Sequence, residues 1–165
     1  MGLKEVARVR ISRAPPFIGR GEKCYLVECG RDLLLVVRSF NRVGVEGQRD
    51  VAVTKGFEVF RLEMGGDCDG ESSSMELKSL GDKTLFLGLN RSIALLCDEC
   101  PGFRGNCIYF LDDTLNSMGD VAQSVADNGV FDMSDGSIEP LRYCNGDLGL
   151  NHARQPAVWI TPSLC

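Results

Sequence analysis

The sequence predicts an all-β protein. About ten short apolar runs follow one another along the chain, and Gly, Asp and Asn clusters separate them. No amphipathic stretch keeps a helical period for more than a turn or two. Sandwich, barrel and propeller architectures all satisfy these observations.

Residues 1–22 are read as a separate N-terminal segment: Pro15-Pro16 with Gly19 and Gly21 mark a loop, and VARVRI (6–11) is a candidate short strand. From residue 23 onward the pattern clears, and 23–165 is expected to be the domain. CYLVEC (24–29), a Gly30-Arg31-Asp32 turn and DLLLVVRSF (32–40) form a predicted hairpin. A Gly-rich, charged stretch, 41–56, reads as a connection. In FEVFRLE (57–63), Phe57, Val59 and Arg61 share one face, while Glu58, Phe60 and Leu62 share the other. Apolar residues on both faces imply a strand covered on both sides.

A polar loop, 65–74, leads to MELKSL (75–80), then to a Gly81-Asp82 turn. TLFLG (84–88) and RSIALL (91–96) make a second hairpin around Leu89-Asn90. Residues 97–105 read as loop, NCIYFLDD (106–113) as a buried strand, and 113–128 as polar with one helical turn around Val121 to Val125. GVFDM (129–133) and SIEPLR (137–142) flank Ser134-Asp135-Gly136, a hairpin turn whose glycine takes positive φ without steric cost. Loop follows over 143–156, and AVWIT (157–161) is the last predicted strand.

Internal similarity narrows the architecture. Residues 22–37 and 82–96 share the order Lys, apolar run, turn with Arg, apolar run. The pair FEVFRLE and MELKSL resembles, at lower fidelity, GVFDM and SIEPL, with Phe60 and Phe131 in matching positions. Repeated strand units of this kind are how propeller blades look in sequence.

At 165 residues, with 44% hydrophobic and 25% charged content, the chain suits one ordinary globular domain. A net charge of −5, with Lys and Arg scattered, argues against a nucleic-acid partner. No stretch approaches the roughly 20 apolar residues that cross a bilayer, so no membrane association is expected. The N-terminus lacks the apolar h-region of a signal peptide, Val6 stands where myristoylation requires Ser or Thr, and the terminal PSLC is no prenylation box. An intracellular place, nucleus and/or cytoplasm, follows as the expectation. There the eight cysteines are reduced thiols, and the sequon Asn90-Arg91-Ser92 is a turn rather than a glycan acceptor.

Candidate chemistry is thin. Cys97-x2-Cys100 with Cys107, and with Cys144 or His152 as a fourth ligand, is the nearest approach to a tetrahedral zinc site. A second CxxC knuckle is missing, so reduced thiols are the expectation. Asp112-Asp113 and Asp132-x-x-Asp135-Gly136 lack the EF-hand spacing and read as turn formers. His152 is the sole histidine, sits in a polar loop and meets no nucleophile motif. GVEGQRD lacks the Walker ending, and no GxGxxG occurs. Trp159 and Phe57, Phe60, Phe86, Phe110 and Phe131 are spaced as core residues, with an aromatic binding patch as the secondary reading. No catalytic residue, cofactor site or metal site is therefore assigned.

The ordered set FEVFRLE…MELKSLGDKTLFLG, NRSIAL, PGFRGNCIYFLDD, NGVFDMSDGSIEPL and VWITPSL resembles the plant F-box-associated β-propeller family of the KIB type, catalogued as domain of unknown function 295. It runs in family order from about Tyr25 to Leu164. The resemblance implies a partial kelch-like propeller of antiparallel blades with an incomplete ring. It also implies the substrate-recruiting half of an SCF-type ubiquitin ligase adaptor that binds an unknown target protein. Three departures stand out: nothing in the chain resembles an F-box, Met75 stands where the family often has Trp, and the CDEC stretch is unlike the usual loop before PGxRxNCIYF. Without an F-box the chain is expected not to dock the Skp-type adaptor, and truncation is the favoured account of the missing blades. Loops 41–56, 65–74, 97–105 and 143–155 are the candidate contact sites. The alternatives are a small zinc- or thiol-dependent protein using Cys97, Cys100 and Cys107, or a gene fragment without function.

Overall fold

Strand β1 (Glu22–Cys29) buries Tyr25, Val27 and Cys29 and exposes Cys24, Leu26 and Glu28, the period-2 alternation of a strand with one wet face. It pairs antiparallel with β2 (Asp32–Val43) through Gly30-Arg31, with Gly30 at φ 68° in the first turn position. That is where a two-residue hairpin of the II′ kind calls for glycine. In β2 the run Leu34–Arg38 is buried on both faces. Residues 22–44, 51–63, 73–99, 101–111, 127–141 and 159 are the ones the computed structural model describes.

β3 (Val51–Glu63) continues the sheet antiparallel to β2, and β4 (Ser73–Leu77) completes it in the order β1-β2-β3-β4. The second sheet runs β6-β5-β7-β8-β9: β5 (Lys83–Leu87), β6 (Ile93–Leu96), β7 (Cys107–Phe110), β8 (Gly129–Asp132) and β9 (Ile138–Pro140). Among the described strands every pairing is antiparallel except β5 with β7.

The two sheets lie face to face. Tyr25, Val27, Leu34, Val36, Phe57 and Val59 of the first meet Leu85, Leu87, Ile108, Phe110 and Phe131 of the second in one continuous core. Each sheet also carries an apolar cluster on its other face: Leu35, Val37 and Leu62 on the first, and Phe86, Cys107, Tyr109 and Val130 on the second. Sheets that are apolar on both faces and stack on one another are the blades of a propeller, and the fold is all-β and a partial propeller. No helix among the described residues is long and apolar enough to cross a membrane.

Several strand limits depart from the sequence expectation. The described residues of 41–56 are strand except for Gly44: the β2–β3 ladder slips register between Ser39 and Phe40 and then continues through Asn41↔Val53 to Val43↔Val51. A bulge shifts the pairing there, and the exposed, polar continuation lacks the apolar alternation by which sequence reads a strand. β4 begins at Ser73, inside the Ser-rich run, and ends at Leu77. The internal repeat is one of hairpins, not of topology. β2, the second strand of its hairpin, carries the sheet onward, whereas in the β5–β6 pair the first strand does so. Phe131 lies in the inter-sheet core, but Phe60 packs on the outer face of the first sheet, so the two are not equivalent. The candidate strands 6–11 and 157–161 and the helical turn near 121–125 fall outside the described residues, apart from Trp159.

Candidate interaction surface

Among the described residues the most connected polar side chain is Arg38, fully buried at the joint of the two sheets. Its position follows from β2's alternation, because Leu34, Val36 and Arg38 share the inward face. The guanidinium Nε donates to Thr54 Oγ1 at 2.8 Å, and Nη1 donates to Leu111 O at 3.1 Å and Tyr25 Oη at 3.3 Å. Nη2 donates to Asp127 O at 3.1 Å and to Asp127 Oδ2 at 2.9 Å. Thr54 adds its backbone N–H and hydroxyl to the same carboxylate oxygen, at 2.9 and 2.7 Å. The Phe110, Phe40 and Phe57 rings lie 4.6, 5.0 and 5.8 Å from the guanidinium carbon. A charge so fully paired and stacked serves architecture: it fastens the segment before β8 to the first sheet.

On the outer face of the second sheet four aromatic rings meet. Phe86 stacks on Tyr109 at 5.2 Å and meets Phe103 and Trp159 edge-on, each at 5.0 Å. Phe103 also meets Tyr109 edge-on at 5.0 Å. β5 and β7, lying parallel with Phe86 opposite Tyr109, supply the inner pair. The loop 97–105 supplies Phe103, which stays 40% exposed. Tyr109 Oη accepts the Arg104 N–H at 3.1 Å, and the Arg104 side chain reaches Glu139 at 3.3 Å, so two contacts of Arg104 tie the loop down directly after Phe103.

Trp159 is held in place by three bonds. Its indole N–H donates to Leu87 O at 2.8 Å, its backbone O accepts from Asn90 Nδ2 at 2.8 Å, and its backbone N–H donates to Asn90 Oδ1 at 3.3 Å. Gly88 makes room for the indole, since a Cβ there would stand 3.1 Å from Trp159 Cδ1. The sequon asparagine Asn90 is thus a clamp for Trp159.

Cys97 and Cys107 lie near each other at the start of β5. Cys97 Sγ is 3.7 Å from Thr84 Oγ1, and Thr84 is the strand partner of Cys107. Burial, reinforced by the Asp132 carboxylate, pushes the Cys107 thiol above its ordinary value, which disfavours the thiolate a metal needs. Among the described residues no three His, Cys, Asp or Glu side chains stand close enough to hold a metal ion. Cys100, Cys144 and His152, the other candidate ligands, fall outside the described residues, as do Asp112 and Asp113.

Asp132 and Asp135 make turn bonds: Asp132 Oδ1 accepts from Ser134 N and Asp135 Oδ1 from Ser137 N, each at 2.8 Å. The Ser137 bonds hold the Asp135 carboxyl below its ordinary value. Of the candidate contact loops, 97–105 is described except at 100, 41–56 is described as strand at 41–43 and 51–56, 65–74 is described only at its strand end, and 143–155 lies outside.

Sequence reasoning missed Arg38 and Asn106. A charged residue in phase with Leu34 and Val36 was the available signal for the first. Asn106, at φ 57°, accepts from Ser79 Oγ at 2.9 Å and Leu80 N at 2.7 Å and donates to Ser134 Oγ at 2.9 Å, joining three turns.

Residues 3–132 match the family model described as the KIB1-4 β-propeller. A protein of Arabidopsis thaliana whose name describes it as an F-box protein is 33% identical over 95 residues, which cover 54% of this chain and 25% of that protein. The matched part thus spans a quarter of that relative's length. No solved structure matches the chain.

Proposed function

The chain belongs to the KIB1-4 β-propeller family, and on that premise we propose that it is the target-recruiting domain of an F-box-type ubiquitin ligase adaptor. Its work is to bind a protein, without catalysis. The observation that carries this reading is the aromatic platform of Phe86, Tyr109 and Trp159 with Phe103 at its exposed rim. Aromatic residues on a rigid scaffold are the side chains from which protein contacts draw most of their energy. The sheet locks the platform, so little ordering remains to be done when a partner binds.

The partner is an intracellular target protein, met in the nucleus or cytoplasm. No segment of these 165 residues resembles an F-box, so the chain by itself binds a target without the Skp-type adaptor. Affinity capture from plant extract with the wild-type chain and with Phe103→Ala tests the reading, followed by binding of the purified candidate alone. The expected result is a protein held by the wild type and at least ten-fold more weakly by Phe103→Ala. Recovery of the Skp-type adaptor, or a partner indifferent to Phe103, sinks it.

A further inference from the structure

β1 and β6 are the terminal strands of their sheets, and a groove of about 670 Å³ runs where their edges meet. Four large apolar side chains, Leu26, Leu33, Ile93 and Leu95, line it beside polar ones, and Leu26 is 60% exposed. Its remaining walls include Glu28 and Arg91, charges of opposite sign that have no ion-pair partner among the described residues.

The backbone of β6 is offered to the same space. Leu96 N–H donates to Glu99 Oε2 at 3.1 Å, so it points away from β5. Residues two apart on a strand present their backbone groups to the same side, which aims the Ala94 N–H and C=O outward as well. Among the described residues no strand pairs with that side of β6.

An open strand edge beside an apolar groove is the geometry by which an extended peptide adds to a sheet. We propose that this groove binds an extended segment of a partner protein. The segment pairs with β6 at Ala94, places an apolar side chain among Leu26, Leu33, Ile93 and Leu95, and carries an acidic residue toward Arg91 and a basic one toward Glu28. Charge complementarity at Glu28 and Arg91 sets its direction, and the volume admits a few residues. This assignment rests on the interaction-domain reading above and adds a second contact to it.

Fluorescence anisotropy with the full chain and two labelled peptides, acetyl-EVLVK-amide and acetyl-KVLVE-amide, tests it. One order of charges is expected to bind saturably and at least ten-fold tighter than the other. Arg91→Glu and Ala94→Pro each weaken that peptide ten-fold or more, while the thermal transition followed by circular dichroism stays where the wild type has it. Proline at an edge position whose N–H faces outward leaves the sheet intact. The exchange variant Glu28→Lys/Arg91→Glu is expected to prefer the opposite peptide.

Equal binding of the two peptides, no saturable binding, or indifference to Ala94→Pro overturns the proposal. A concentration-dependent dimer in sedimentation that Arg91→Glu abolishes also overturns it, in favour of a second copy on this edge. If the peptides fail while a purified partner still binds through Phe103, the groove falls and the interaction reading stands. If both fail, that reading falls as well.

Discussion

Arg38 and Asp127 meet at 2.9 Å with the guanidinium wholly buried and the carboxylate 13% exposed, and this pair joins the first sheet to the segment that leads into β8. Breaking one side of a buried pair strands the other charge away from water. Arg38→Met is therefore expected to cost about 3–5 kcal/mol in urea denaturation. Arg38→Met/Asp127→Asn should lose less than the sum of the single changes, because it removes both charges together. A loss below about 1 kcal/mol for Arg38→Met would count against the joint.

Asn106 combines a left-handed backbone with three side-chain hydrogen bonds. Alanine loses the bonds and keeps the strain, whereas glycine loses the bonds and relieves it. Asn106→Ala should therefore be less stable than Asn106→Gly by about 1 kcal/mol in parallel denaturation curves. Equal stabilities would show that the strain is immaterial.

Gly129 and Gly56 provide an internal contrast. A Cβ at Gly129 would stand 2.7 Å from Phe110 Cζ and 2.9 Å from Glu139 O, and a backbone carbonyl in the β8–β9 ladder cannot swing aside. Gly129→Ala should cost about 1–3 kcal/mol. At Gly56 the nearest atom is Phe131 Cε2 at 3.7 Å, ordinary contact, so Gly56→Ala should stay within about 0.5 kcal/mol. Differential scanning calorimetry of the two variants ranks them.

Cys107 makes stability sensitive to alkali. Burial raises its thiol above the ordinary value of 9.0, so the unfolded chain releases this proton first as pH rises. Stability is full below that ordinary value and falls as pH climbs past it toward the folded-state value. Cys107→Ser should show a shallower alkaline decline than the wild type when unfolding is followed from pH 7 to pH 10. Identical slopes would remove Cys107 from the account.

Much of this was legible in the residues themselves. The alternation of Tyr25, Val27 and Cys29 defines β1, the all-apolar runs at Leu34–Val37 and Cys107–Phe110 mark strands covered on both faces, and Gly30 and Gly136 fall at turns with positive φ. Asn41 to Val43 carries no strand signal in sequence, because an exposed ladder beyond a bulge needs no apolar pattern. The aromatic platform was half legible: Phe86 and Trp159 stood out as aromatic residues, but their meeting depends on β5 and β7 lying side by side. Nothing local encodes that adjacency, since 19 residues separate Leu87 from Cys107. The groove between β1 and β6 escaped for the same reason, being the product of two sheet orders rather than of any motif.

The parallel pairing of β5 with β7 bears on how the chain reaches its native state. Hairpins zip from a turn outward, and three of the seven ladders among the described strands join consecutive strands through short turns that make this quick. β7 has no such turn to start from: β6 lies between it and β5 in the chain and takes the opposite edge of β5. Loop-closure entropy is spent before that contact returns anything, which makes long-range parallel pairing intrinsically slow. Until β7 arrives, Phe86 has no Tyr109 to stack on, so the aromatic platform forms only once this long-range pairing is made.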